Sequence, residues 1–541
     1  MRANYVSKNV AHLGIVSGMI DELNLVSLLD GYLNTDGINR DVSLGLMIKA
    51  LVLNGLGFNQ RTLYMVTHFF SDKPIEHLLG EGITASQLND TSLGRCLDAI
   101  HDYGCTTLYS NLAVSICKTL GLHPKIVHMD TTDFHVEGMY NSLSKDVSEK
   151  EIHLCRGYSR DHRPDCNQVV LNLIVENQAG IVLHMEGLDG NKSDKTAFKE
   201  TIKTYIGNLQ EVYDIEYVVM DSAGYTEKTL QHCGDTVKWI SRVPETLTES
   251  KAAVNALYAA TDWKPLSEDY EYVALESNYG EIAQRWLLVF SKEAYKREII
   301  TLKKNYEKNS QAELQQFLKL CRQSFDCQND AQTAINLFQK KCKYLHFKDI
   351  NIEKVGYFLK KGKPKKEQKP DKYLFYIQAT PYLKIEDFEK KAQTKGRFII
   401  ASNDLDNQKL TDSQMFINYK GQAKVERGFR FLKDPQFIAS SFFVKKPQRV
   451  EALLFIMTLS LTVYAAIEFR IRQQLAQQKK YVKNQLGKDI QNPTARWIFA
   501  TFSGIHLLEV NGENIILNLS PFNEEVINLM GQNYRKYYFL E

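Results

Sequence analysis

Five residues around position 426 carry the clearest chemistry in this chain: Tyr419, Gln422, Glu426, Arg430 and Lys433. They recur at three, four, four and three residues, which predicts one stripe of a single helix. The opposite stripe, Val425, Phe429 and Leu432, is apolar and would face a core. An acidic group set among cations and a phenol suits a metal ligand beside a phosphate backbone. Far upstream, two strand-like runs each end in an aspartate, Asp130 in HMD and Asp221 in VVMD. Two strand-end aspartates and a helical glutamate supply what two-metal phosphoryl transfer needs, donors for two cations about 3.5–4 Å apart. Hard oxygen donors favour Mg2+ or Mn2+ over zinc. One ion would activate and orient a water or a 3'-hydroxyl, and the other would stabilise the leaving oxygen. Arg430 and Lys433, one and two turns beyond Glu426, would hold the phosphates beside the scissile bond.

Each acid alone has a plainer reading. Asp130 reads as a solvated strand-end acid, with Asp133 and Glu137 close enough to confuse the assignment. Asp221, before the Ser-Ala-Gly turn, reads equally as a helix cap, and Glu426 as a surface residue of an amphipathic helix. The combination of the three is what points to catalysis.

These side chains need a scaffold, and the surrounding texture predicts one. Strands are expected at 125–132, 168–176 and 181–186, the last two as a hairpin, then a helix over 195–211 and strands at 216–220 and 237–242. The order implies an α/β unit with a mixed sheet. Residues 245–395 read as an insertion: hairpins, a long charged helical region broken near Cys327, and a lysine-rich loop. Strand material resumes at 398–401, and a helix begins near Thr411. Residues 1–120 are helical in pattern, with tight turns that suit a helix-turn-helix-like DNA-binding domain or a plain bundle. The expected organisation is therefore 1–120 helical, 121–244 and 396–482 as two parts of one catalytic core, 245–395 inserted, and 483–541 a C-terminal region.

A net charge of only +3 does not mark the chain as a nucleic-acid binder; the basic residues are clustered instead. One cluster holds Lys360, Lys361, Lys363, Lys365, Lys366 and Lys369, point charges suited to backbone phosphates. The polar loop with Arg160, His162, Arg163 and Asp165 suits DNA contact or a turn with internal salt bridges. Nine cysteines without a Cys-x-x-Cys pair argue against a secreted disulfide framework and favour a reduced cytoplasm. No signal peptide is expected. The apolar run 452–467 is sixteen residues long, spanning about 24 Å against a hydrocarbon core of roughly 30 Å. A buried helix is expected there, with no membrane partner. The histidines lack zinc-ligand spacing, and the chain has no Walker motif.

The three acidic motifs resemble the DDE transposases of bacterial insertion sequences, in the group with an RNase H-like core and a β-rich insertion before the glutamate. The first acid matches Asp130 in HMDTTDF, the second Asp221 in VVMDSAGY, and the glutamate Glu426. The group's tyrosine, glutamate and lysine signature matches Tyr419, Glu426 and Lys433, while its arginine position holds Gln422. That departure weakens one phosphate contact and touches no metal ligand. GYSRDHRPD, SRVPET, GRFIIASND and FLKDPQF extend the likeness over nearly the whole chain. The resemblance implies cleavage at terminal inverted repeats of double-stranded DNA, a hairpin intermediate and strand transfer into target DNA. It also implies two cations per site and base stacking by an insertion-domain aromatic. Trp286 is the candidate for that role, although packing is the plainer reading. Transposition requires two ends held together, so a dimer on DNA is expected, with the C-terminal helices from Ala466 onward a candidate contact; Ile467, Ile471 and Leu475 continue an apolar stripe there that could equally pack inside the monomer. The competing functions are a structure-selective nuclease without transposition and a DNA-binding relative that has lost catalysis.

Overall fold

The computed structural model describes residues 5–34, 37, 40–58, 65–136, 151–159, 163–234, 236–359, 368–434, 444 and 446–539. The chain divides into two compact units. The first comprises Met1–Arg242, Ser277–Arg285 and Ala401–Glu541, and the second Val243–Glu276 and Trp286–Ile400.

Five strands of the first unit position the site. They are β1 (Ile126–Val136), β2 (Asn167–Glu176), β3 (Val182–Asp189), β4 (Tyr217–Met220) and β5 (Trp239–Arg242). Their spatial order is β3-β2-β1-β4-β5. The β1–β2 and β2–β3 pairs are antiparallel, and the β1–β4 and β4–β5 pairs are parallel, so the sheet is mixed and changes sense at β1. Every residue of β4 is buried, which explains its unbroken apolar run. Between β3 and β4 the expected helix forms as Asp194–Thr201 and Gly207–Tyr213, joined by a π turn over Ile202–Ile206.

One sequence expectation is corrected here. Asp130 does not end its strand, because β1 runs on to Val136, paired with β2 as far as Asn167. It is β4 that stops, at Met220, and the parallel edge of β1 is unpaired by β4 from Asp130 onward.

Three helices complete the part that matters for chemistry. They are α1 (Asp412–Lys420), α2 (Ala423–Leu432) and α3 (Pro447–Gln477). Thr411 starts α1 with a capping box closed by Gln414. α3 contains the apolar run and is long and apolar enough to cross a membrane, yet most of that stretch is buried against other helices of the unit. Ile467, Ile471 and Leu475 are also buried within the chain, so this stripe packs inside the monomer and is not free to form a dimer contact.

Residues 1–120 fall within the first unit, where bonds tie them to later segments. The strand Tyr5–Asn9 pairs antiparallel with His506–Val510. Asp98 of the helix Asp90–Tyr103 forms a two-pronged ion pair with Arg449 of α3, each bond 2.7 Å. Tyr538 donates to the carbonyl of Ala11 at 2.6 Å. All nine cysteines are free.

In the second unit, the helices Lys292–Arg322 and Gln328–Lys341 and the antiparallel hairpin Leu345–Tyr357/Lys372–Leu383 share a core of Phe317, Ile335, Phe347 and Ile377. The break between the helices falls at Cys327, whose side chain caps the second.

Candidate active site

The parallel pairing of β1 and β4 aligns His128 with Val219 and Met129 with Met220. The next residues are Asp130, within β1, and Asp221, just past the end of β4, so their backbones stand at one level beside strands spaced roughly 4.8 Å apart. Asp221 is held by local bonds. Its carboxylate accepts from the Ala223 amide at 2.9 Å, and its carbonyl accepts from the Ser241 hydroxyl of β5 at 3.0 Å. The turn that follows needs glycine at position 224, where a Cβ would lie 2.9 Å from that of Met220. Asp130 accepts from the amide of Thr131 at 2.8 Å, and the Thr131 hydroxyl donates to Asp194 at 2.6 Å.

The glutamate arrives on α2, and here a second expectation is corrected. The stripe from Tyr419 to Lys433 is not one helix: α1 ends at Lys420, and Gly421 and Gln422 form a tight junction before α2. The junction is bonded three residues back, Gln422 amide to Tyr419 carbonyl at 3.1 Å and Lys424 amide to Gly421 carbonyl at 2.9 Å. Three-residue turns rotate side chains differently from α-helical ones, which splits the stripe. The junction is pressed against β1. A Cβ on Gly421 would sit 2.8 Å from His128 Nε2, and nearer still to Asn177 Oδ1.

Gln422 consequently points inward and is only 7% exposed. Its Oε1 lies 3.0 Å from His128 Nδ1, and its Nε2 donates to the Met129 carbonyl at 3.2 Å. Asn177 Oδ1 lies 3.1 Å from His128 Nε2. Lys424 donates to the carbonyls of Asn177 and Gln178. Burial pushes the His128 imidazole down to about 4, against the pull of Asn177 and Gln422; a neutral ring has one N–H and donates to one of the two amide oxygens. The DNA contact expected of Gln422 is corrected on these grounds: both ends of its amide are occupied inside the protein.

Glu426 lies one turn further along α2 and is exposed, as is Arg430. The Tyr419 phenol is pushed up by burial; Arg242, hydrogen-bonded to it, pulls it down, and the carboxylates of Glu426 and Asp221 push it up. Tyr419 therefore sits among Arg242, Glu426 and Asp221. Lys433 lies 3.7 Å from Asp133 and over the ring of Phe134. The arginine at 242 escaped the sequence reading. Its signal was its place at the end of a buried strand beside that of Asp221.

The remaining candidates separate. Arg163 is engaged by Asp165, Nε to Oδ1 and Nη2 to Oδ2 both at 3.1 Å. Arg160, Lys360, Lys361, Lys363, Lys365 and Lys366 lie outside the described residues, while Lys369 is exposed. Trp286 is 2% exposed in the strand Gln284–Ser291. A buried ring offers no face to a base, which agrees with packing, the plainer of the two readings.

Asp130, Asp221 and Glu426 form an all-oxygen donor set, which fits Mg2+ or Mn2+ in kind. Among the described residues, no three acidic, histidine or cysteine side chains are drawn close enough together to hold an ion as they stand.

Two family models match the chain: a transposase DDE domain over residues 122–463, and a domain of unknown function (DUF4277) over residues 5–114. Among solved structures, the chain is similar to a piggyBac transposase in a cryo-EM synaptic complex with hairpin DNA. The identity is 8% and the TM-score 0.37, covering 92% of this chain and 82% of that one. No curated protein matches.

Proposed function

This chain belongs to the transposase DDE-domain family, and on that footing we propose that it cleaves DNA at transposon ends and joins the freed strands to target DNA. The observation that supports the reading is the shared level of Asp130 and Asp221 at neighbouring parallel strands, with Gln422, one turn before Glu426, bonded to β1. The three would hold Mg2+ or Mn2+, two ions in the assembled site. When bound, such ions stabilise charge on the scissile phosphate and lower the pKa of the attacking hydroxyl. Tyr419 and Arg242, hydrogen-bonded to each other beside two of the acids, would orient a phosphate oxygen. Arg430, exposed one turn past Glu426, would hold the backbone next to it, and Lys433 and Lys369 would add positive charge.

The strand order and its single change of sense at β1 support an RNase H-like core. The second unit would be the insertion between the second aspartate and the glutamate. The N-terminal region would contribute end recognition, and two copies would act on paired ends. The test is incubation of purified protein with Mg2+ and DNA carrying the repeats that flank its gene, resolved on a sequencing gel. Joined products are expected. Nicks without joining would make it a structure-selective nuclease, and binding without either would make it an inactive relative.

A further inference from the structure

We infer that Gln422 is a positioning residue that ties the glutamate helix to the catalytic strand and sets Glu426 level with Asp130. The inference rests on the metal-dependent reading above and deepens it. Three observations support it. On β1, His128 and Asp130 share a face because side chains alternate, and they are separated by roughly 6.6 Å of strand. Gln422, at the start of α2, and Glu426 are one turn apart, the Glu426 amide donating to the Gln422 carbonyl at 3.3 Å, a step of about 6 Å along the helix. The two steps match, so fastening Gln422 to His128 and to the Met129 carbonyl brings Glu426 opposite Asp130.

The second observation fixes direction. Lys433, late in the helix segment, meets Asp133, late in the strand, at 3.7 Å, so helix and strand advance the same way. A reversed helix would carry Glu426 away from Asp130. The third is the absence of slack. Gly421 leaves no room for a Cβ beside His128, and Lys424 is fastened to the β2–β3 turn at Asn177 and Gln178. Gln422 thus couples α2 directly to β1 one turn before Glu426. Its amide uses both ends for this, one oxygen toward the imidazole and one N–H toward a backbone carbonyl. A residue holding a ligand helix in this way acts on the metal, not on the DNA. Supports of this kind change metal affinity or rate by about 10–100-fold when removed.

The test compares wild type with Gln422→Met, which keeps length and burial but removes both hydrogen bonds. Two readouts do not depend on turnover. The first is Mn2+ binding to the full chain without DNA, followed by electron paramagnetic resonance. The second is binding of a duplex carrying the flanking terminal repeat in EDTA, measured against salt concentration. We expect Mn2+ affinity to fall about tenfold while the salt slope is unchanged, with single-turnover cleavage slowed and the DNA concentration at half rate unchanged. Should Gln422→Met not fold, Asn177→Ala, at the hairpin turn, removes the other partner of His128 and is expected to weaken Mn2+ binding about threefold. Unchanged Mn2+ affinity in a folded variant overturns the inference. A salt slope reduced by about one overturns it in favour of a phosphate contact. Wild-type protein that binds no Mn2+ and cleaves nothing sinks the metal-dependent reading itself, a different result from equal binding by wild type and variant.

Discussion

Gly421→Ala tests the junction by a change that isolated helix physics favours. The backbone at Gly421 is already helical, φ −57 and ψ −24, so alanine meets no conformational penalty. On propensity alone the substitution stabilises by about 0.5–1 kcal/mol. Packing says the opposite. The added methyl would lie 2.8 Å from His128 Nε2 and 2.9 Å from the Asn418 carbonyl, neither of which is the loose end of a flexible side chain. Overpacking of this kind costs about 1–3 kcal/mol. Pushing His128 or Asn177 off its partner adds about 1–3 kcal/mol for a buried group left unpaired. The net expectation is a loss of about 1–5.5 kcal/mol in the first unit, with cleavage falling about a hundredfold if Glu426 shifts by about 1 Å. Gly428→Ala is the control, since its methyl would meet only Leu461 Cδ2, at 3.2 Å, and should be nearly neutral. Urea unfolding, read by hydrogen exchange of β1 and α2 peptides, separates the outcomes. If Gly421→Ala were as stable as wild type, or more so, the claimed close approach of junction and strand would be wrong.

Asp130→Asn, Asp221→Asn and Glu426→Gln should each abolish cleavage while preserving repeat binding, because each removes a charge that a divalent cation needs. Near wild-type cleavage by one of them would strike that residue from the site, with Asp133 the first replacement for Asp130. The first unit should lose stability as pH falls from 6.5 toward 4. Burial holds His12, His128 and His184 at about 4, below the usual 6.5, so the unfolded chain binds their protons first. Their contribution is complete above pH 6.5; Glu186 and Glu451, raised by burial, oppose the trend. Denaturation midpoints that do not change between pH 7 and 5 in wild type and in His184→Gln alike would refute the assignment. Neutralising Lys360, Lys361, Lys363, Lys365, Lys366 and Lys369 together should flatten the salt dependence of DNA binding, and an unchanged slope would leave the loop a solvated hairpin tip.

The strands around Asp130 and Asp221 were legible because buried apolar runs and two-residue alternation are local signals. So was the break at Cys327, where a side chain caps the next helix. What the sequence hid is everything decided by partners distant in the chain. The level match of Asp130 and Asp221 depends on which residue of β1 faces which residue of β4, and no spacing within either strand encodes that. Gly421 read as an ordinary helical residue because its constraint is the nearness of His128, almost three hundred positions away. Gln422 looked like a weakened phosphate contact for the same reason. Ile467, Ile471 and Leu475 formed an apolar stripe that any covering surface would satisfy, and the chain supplies its own.

The position of the acids follows from the unequal lengths of two neighbouring strands. β4 has four residues and β1 has eleven. Up to Met129, β1 is paired on both sides and has no edge to offer. From Asp130 onward β2 alone continues the ladder, so one side of β1 opens where Asp221 leaves β4. Ligands in sheets with parallel strands gather at carboxyl ends where the topology changes, because chains diverge there and leave a crevice. β1 is that point, antiparallel to one neighbour and parallel to the other. Had β1 ended at Asp130 as its motif suggested, Asp133 would lack a strand, and Lys433 would lose its 3.7 Å partner. The extra length of β1 thus serves the far end of the glutamate helix, while its paired length fixes the level of the two aspartates.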